Sequence, residues 1–155
     1  ILEAIITTRG SWYYENEAIN ELLEGCKDFD ADAFASGIVD EWGRDSYLKY
    51  NDDWSKIIEP YRVIGYDYID GLAYEKYNFN ADGTGYRYVN PIEPDMDATT
   101  YNFSWSYDAD SGKLTLSGEF NQVWDVSGYS DTYIVLDEVT TNNENFRTIL
   151  KHSLL

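Results

Sequence analysis

The chain has 155 residues, with 11 Lys and Arg against 29 Asp and Glu, a net charge of −18 and a pI near 4.1. That balance excludes sequence-independent binding to DNA or RNA, which is built from Lys and Arg neutralising phosphates, and it disfavours docking on an anionic membrane surface. With 43% hydrophobic and 17% aromatic residues the composition is that of a folding chain, and no run approaches the roughly 20 apolar residues that insert a helix across a bilayer.

One domain over residues 1–155 is expected at this length. The chain begins at Ile1 without a methionine, as expected of a processed form whose targeting segment has been removed. Gly10-Ser-Trp-Tyr-Tyr14 has the character of a first strand. Asn16 then caps a short predicted helix, Glu17 to Glu24, ended by Gly25. A weaker helix runs from Ala31 to Trp42, with Phe34, Ile38 and Trp42 at helical spacing, and Tyr47 to Ile58 take no definite element. Residues 15–60 therefore read as an irregular, partly helical insertion after the first strand. Within them Cys26 is the only cysteine, and the only histidine is His152 near the other end. No internal disulfide or thiolate metal cluster can form, and a semi-buried cysteine with a surface histidine is preferred over a catalytic pair.

Residues 61–151 read as strands. Tyr101, Phe103, Trp105 and Tyr107 alternate with Asn102, Ser104, Ser106 and Asp108, the period-2 pattern of a half-buried strand. Similar alternation marks Tyr77 and Phe79, Tyr86 and Tyr88, Leu114, Leu116 and Phe120, Trp124 and Val126, and Ile134 and Leu136. Asp82-Gly83 signals a two-residue hairpin turn that sets Phe79 opposite Tyr86 and Tyr77 opposite Tyr88, with all four rings on one face. The turn from Asp108 to Gly112 sets Tyr107 opposite Leu114, Trp105 opposite Leu116 and Phe103 opposite Gly118. A third hairpin turns at Ser127 to Asp131. The last, near Thr141 to Asn143, leads into Phe146 to Lys151, where adjacent Ile149 and Leu150 leave the inward face open.

Short strands joined by tight turns, each with one apolar face, make a mainly β, up-and-down antiparallel meander with one or two short N-terminal helices. Closure into a barrel removes its two exposed edges and gives the aromatic faces a common interior. Phe103, Trp105, Tyr88 and Trp124 are the residues predicted to line any ligand space, their rings suiting partly apolar molecules such as bile acids, porphyrins or glycans. A fully packed aromatic interior is the alternative and needs no ligand.

Chemistry is sparse. Asp28, Asp30 and Asp32, the run Asn78 to Gly83, and Asp108 with Asp110 and Glu119 each imitate part of a calcium loop, and each lacks a required glycine or twelfth-position glutamate. They read as solvated turns, so no metal is assigned. Asp52-Asp53, Asp67 with Asp70, and Asp137-Glu138 are carboxylate pairs by composition only. Asp82-Gly-Thr-Gly85 lies between strands, so it is no phosphate loop. No cofactor and no catalytic residue is expected, and the chain reads as a non-enzyme.

Gly10-Ser-Trp12, followed by the meander Tyr77-Asn-Phe-Asn-Ala-Asp-Gly-Thr-Gly85, Phe103-Ser-Trp-Ser-Tyr107, Lys113-Leu-Thr-Leu116 and Tyr133-Ile-Val-Leu136, resembles the lipocalin-like domains of secreted Bacteroidetes lipoproteins. The resemblance implies a lipocalin-like barrel closed at one end by Trp12 beneath Arg147, a guanidinium-on-indole contact of about 0.5–2 kcal/mol. It also implies an exported protein, periplasmic or anchored at the cell surface, that holds a small apolar or amphipathic molecule. The alternative is a glycan- or protein-binding module using aromatics of the N-terminal segment around Trp42, Tyr47, Tyr50 and Trp54.

Overall fold

The computed structural model describes residues 7–62, 74–90 and 97–153, with side chains from residue 17 onward except at 60–62 and 74. In chain order the elements are α1 (Thr7–Cys26), α2 (Ala31–Gly37), β1 (Glu41–Tyr50), β2 (Ile57–Arg62), β3 (Tyr74–Phe79), β4 (Thr84–Asn90), β5 (Thr99–Asp108), β6 (Lys113–Gly118), β7 (Gln122–Tyr129), β8 (Tyr133–Val139) and β9 (Asn145–His152). Among the described residues no helix is long and apolar enough to cross a membrane.

The predicted fold class holds. From β3 to β9 each strand pairs antiparallel with the next, and β9 pairs back onto β1, closing an eight-stranded barrel. The remaining edge of β1 is divided: Glu41 to Gly43 pair with β3, while Tyr47 to Tyr50 pair with the additional strand β2. Residues 41–50 and 57–62 are thus strands rather than an irregular insertion. Gly10 to Tyr14 likewise lie inside α1 and not on a first strand: strand propensity is a preference for packing on a half-buried sheet, and context reverses it. The second predicted helix stops early. Asp30 caps α2 through Ala33 N–H, and Ile38 ends it, so Trp42 belongs to β1, although its indole N–H still donates to the Ile38 carbonyl at 3.0 Å.

The β5–β6 hairpin has the predicted register, with Tyr107 opposite Leu114, Trp105 opposite Leu116 and Phe103 opposite Gly118. The β3–β4 hairpin is shifted by one residue. Asn80 N–H donates to the Thr84 carbonyl and Gly83 N–H to the Asn80 carbonyl, with Gly83 at φ 88°. This is a three-residue loop whose last member is left-handed, and not a two-residue turn. The shift sets Tyr77 opposite Arg87 and Phe79 opposite Gly85. Tyr86 and Tyr88 therefore turn outward, since successive strand residues alternate faces.

Two apolar clusters result. Inside the barrel, Trp42, Tyr77, Phe79, Phe103, Leu114, Leu116, Trp124, Val126, Ile134, Leu136 and Leu150 pack with Phe34 and Ile38 of α2. Outside it, Ile19 and Cys26 of α1 pack with Leu48, Tyr50, Ile57, Val135 and Ile149. Both faces of β9 are therefore buried, which answers the ambiguity at Ile149 and Leu150: the first faces α1 and the second the interior. A register shift between Arg44 and Ser46 moves β1 from one face to the other at the same level.

Candidate ligand site in the barrel

The two ends of the barrel differ. At one end α2 seals the interior: Phe34, 0% exposed, meets Tyr107 edge-on at 4.7 Å and Tyr129 at 5.5 Å. Phe103 packs on Phe79 at 5.6 Å and crosses Gly85, where an added Cβ would lie 2.6 Å from its ring and 2.2 Å from the Asn78 carbonyl. Trp105 stands edge-on to Phe79 at 5.7 Å, and its indole N–H is held by the Asn80 carbonyl at 3.0 Å. This end is an aromatic floor.

Toward the other end the inward positions turn polar. Glu75 shares the inner face of β3 with Tyr77 and Phe79, and Arg87, opposite Tyr77, shares that of β4. The Glu75 carboxylate is bridged by two guanidiniums: Arg44 Nη1 lies 2.6 Å from Oε2, while Arg87 Nη2 and Nε lie 2.8 and 2.9 Å from Oε1. The Tyr77 hydroxyl is 3.4 Å from that same Oε1, and its pKa is pushed up by burial and by the Glu75 charge beside it. Aromatic rings flank the guanidiniums. Arg87 sits over Phe120 at 4.5 Å and Tyr101 at 5.5 Å, and Arg44 over Tyr47 at 5.2 Å, with Tyr47 stacked on Phe146 at 5.2 Å. All four of these rings are half-buried.

The four residues predicted to line a ligand space are divided by this arrangement. Phe103 and Trp105 belong to the packed floor. Trp124 is buried and edge-on to Tyr77 at 5.8 Å, and its indole nitrogen has no hydrogen-bond partner. Tyr88 is excluded from the interior: it lies outside, opposite Lys76, whose ammonium is 5.3 Å from its ring. Sequence reasoning missed Glu75 and Arg87, because polar residues at strand positions ordinarily face solvent, and Arg44, because β1 itself went unpredicted. The available signal was Glu75-x-Tyr77-x-Phe79, three residues of one parity with the carboxylate on the aromatic side.

Arg147 stacks on an indole of the outer wall, that of Trp54. It forms a two-pronged pair with Asp137 at 2.6 and 2.8 Å and lies over Tyr50 at 4.6 Å and Trp54 at 5.1 Å. The side chain of Trp12 lies outside the described residues, as do Asp67 and Asp70. Trp54 itself is held in the left-handed region at φ 63°. Of the acidic loops, Asp30 caps α2, Asp82 accepts from the Thr84 hydroxyl and amide, and Asp108 accepts from Asp110 N–H. Among the described residues no group of three or more His, Cys, Asp or Glu is placed to hold a metal ion. His152 meets Asp40 at 2.7 Å and the Trp42 ring, while Cys26 belongs to the outer cluster, where burial pushes its thiol up.

No protein-family model and no curated protein matches the chain. Among solved structures it is similar to a lipocalin-like protein from Bacteroides uniformis, 13% identical, the likeness covering 75% of this chain and 98% of that one at a TM-score of 0.46. It is also similar to a bovine odorant binding protein, a deswapped triple mutant, 14% identical over 77% of this chain and 76% of that one at 0.42. At these values the likeness is one of fold, which the strand order already gives.

Proposed function

We propose that this chain is a non-catalytic binding protein that holds a small, partly apolar molecule in the end of the barrel away from α2. Burial against the aromatic wall supplies the driving force, and no bond is made or broken. The observation that carries the reading is the change along the interior, from the apolar floor under Phe34 to the layer where Glu75, Arg44 and Arg87 lie among Tyr47, Tyr101, Phe120 and Phe146. An eight-stranded barrel either fills itself or accommodates one small ligand, and at the end away from α2 the inward positions carry Glu75 and Arg87 in place of an apolar layer. Export to the periplasm or cell surface goes with this reading and is tested by fractionating the native host.

The alternative interaction module has less aromatic surface to offer than its four rings suggest. Trp42 and Tyr50 are buried, Tyr47 is stacked on Phe146, and Trp54 is engaged by Arg147.

The test is a fluorescence titration with the neutral dye N-phenylnaphthylamine. Saturable binding to the folded protein is expected, weakened about tenfold in Phe120→Ala, which removes ring area from the half-exposed layer. Absence of saturable binding overturns the proposal, and so does binding that Phe120→Ala leaves untouched.

A further inference from the structure

We propose that α1 is a displaceable cover on the outer wall: it swings away as a unit about residues 27–30 while the barrel stays closed, and bares the apolar band beneath it. This is independent of what the interior holds.

The barrel does not need α1. Its wall closes through β1 and β9, and among the described residues the buried interior cluster takes members from α2 onward and none from α1. What α1 covers is a second apolar band, Leu48, Tyr50, Ile57, Val135 and Ile149, on the opposite side of the sheet. Lifting a cover from a wall that the strands have already built costs only the cover's own contacts, so it opens below the free energy of global unfolding.

Those contacts are narrow. Over residues 17–26 the stripe that meets the wall is Ile19, Leu22, Leu23 and Cys26, at helical spacing, and only Ile19 and Cys26 of it are buried. Clefts run along both flanks. One, of about 470 Å³, separates Ala18 and Gly25 from Ser130 and Thr132. The other, of about 360 Å³, separates Asn20 and Lys27 from Ser127 and Arg147. The helix therefore rests on a ridge and not in a socket.

Local chemistry loosens it further. Glu17, Glu21 and Glu24 stand in its second half with no basic residue in the last turn, where the helix dipole favours cations, and Gly25 weakens the final turn. Lys27 answers Glu24 at 2.5 Å from just beyond the end, but both side chains are more than half exposed, and such a pair contributes little. Most helical stability comes from a packed face, and here that face is one stripe.

Gly128 marks the pivot. The end of α1 lies so close to β7 that a Cβ on Gly128 would stand 3.0 Å from the Cys26 Cβ and 3.3 Å from the Cys26 carbonyl. Residues 27–30 then lead to α2, which Phe34 pins to the interior, so the swing is bounded there. Cys26 is on the moving side, and its buried thiol is shielded until the helix lifts.

The experiment measures reaction of Cys26, the only cysteine, with dithionitrobenzoate and with the smaller methyl methanethiosulfonate, alongside amide hydrogen exchange read by mass spectrometry. Both reagents are expected to be slowed by the same factor relative to the unfolded chain, with labelling much less steeply dependent on urea than global unfolding. The amides of α1 are expected to exchange with the same opening constant while those of β5 to β8 stay protected. Gly128→Ala, whose added methyl presses on α1, is expected to raise labelling about tenfold or more with β5 to β8 protection unchanged. Ile19→Ala removes an anchor of α1 from outside the barrel; it is expected to do the same, and it serves if the glycine variant fails to fold. Labelling that tracks global unfolding, with β5 to β8 amides released in step, would overturn the inference. So would a smaller slowing for the small reagent, because the thiol would then be reached through the adjoining cleft with α1 in place. Variants that lower β5 to β8 protection as much as they raise labelling would overturn it as well, since α1 would then be part of the barrel's own fold.

Discussion

Gly85 shows how much one side chain, or its lack, decides in this barrel. The Phe103 ring crosses directly over it, and a methyl group there would press on the Asn78 carbonyl as well as the ring. Backbone cannot give way as a flexible side chain can, so Gly85→Ala is expected to cost about 1–3 kcal/mol, read as a lower urea midpoint with an unchanged slope. Asp40 makes a different kind of prediction. The hydrogen bond from His152 holds its carboxyl below the usual carboxylate range, helped by the Glu41 amide. A carboxyl whose folded pKa is depressed stabilises the fold above its unfolded value and loses that contribution as acid protonates it. Stability should therefore fall as the pH drops below about 4, and Asp40→Asn should flatten that part of the profile in urea melts taken across the acid range. An unchanged acid limb in the variant would remove Asp40 from the account. Asp53 and Asp82, lowered by the hydroxyls and amides of Ser55 and Thr84, add to the same limb. What the sequence could disclose at this scale was parity, not partnership. Phe103, Trp124 and Leu136 declare themselves by alternation, whereas Glu75 and Arg87 look like surface residues until the strand register is known.

At the scale of elements, turn chemistry decided which pairings were legible. The β5–β6 hairpin could be read correctly because the Asp108 to Gly112 turn and the two flanking alternations agree on one register. The β3–β4 hairpin misled because Asp82-Gly83 has the composition of a two-residue turn, yet Asn80 and Thr84 close a wider loop around it. Asn143, at φ 62°, takes the place of Gly83 in the β8–β9 turn, between Thr140 and Glu144. The helices were harder, because a tertiary surface outweighs local preference: α1 extends back through Gly-Ser-Trp-Tyr-Tyr, and Trp42 keeps helical spacing from Phe34 while standing on a strand. The short helix α2 is held almost wholly by what it seals. Phe34 is its sole fully buried residue, so Phe34→Ala is expected to cost about 3–5 kcal/mol and to open the floor beside Tyr107 and Tyr129. Thermal melting with dye binding would show it: a large drop in melting temperature with dye entering from the opened end. A melting temperature within a degree or two of the parent would mean that α2 is an ornament on a self-sufficient barrel.

For the molecule as a whole, the excess of 18 negative charges acts on stability through self-repulsion that salt screens. Raising sodium chloride from about 0.01 to 0.15 M is expected to raise the melting temperature, because the screened surface repulsion exceeds the exposed ion pairs lost, such as Lys113 with Asp125. A fall in melting temperature over that range would show that the surface pairs dominate.

The seam of the barrel sets an order in time. The wall is complete only when β1 lies beside β9, and this joins groups as distant in sequence as Lys49 and Glu144, 95 residues apart. Contacts of such separation come late and slowly, since the intervening loop must be closed before they repay it. On the ribosome, where residues leave from the N-terminus first, β1 waits through the synthesis of every later strand of the barrel with the edge destined for β9 unpaired. Until then the nascent protein is an open, twisting sheet. It has no inside until the last strand has docked.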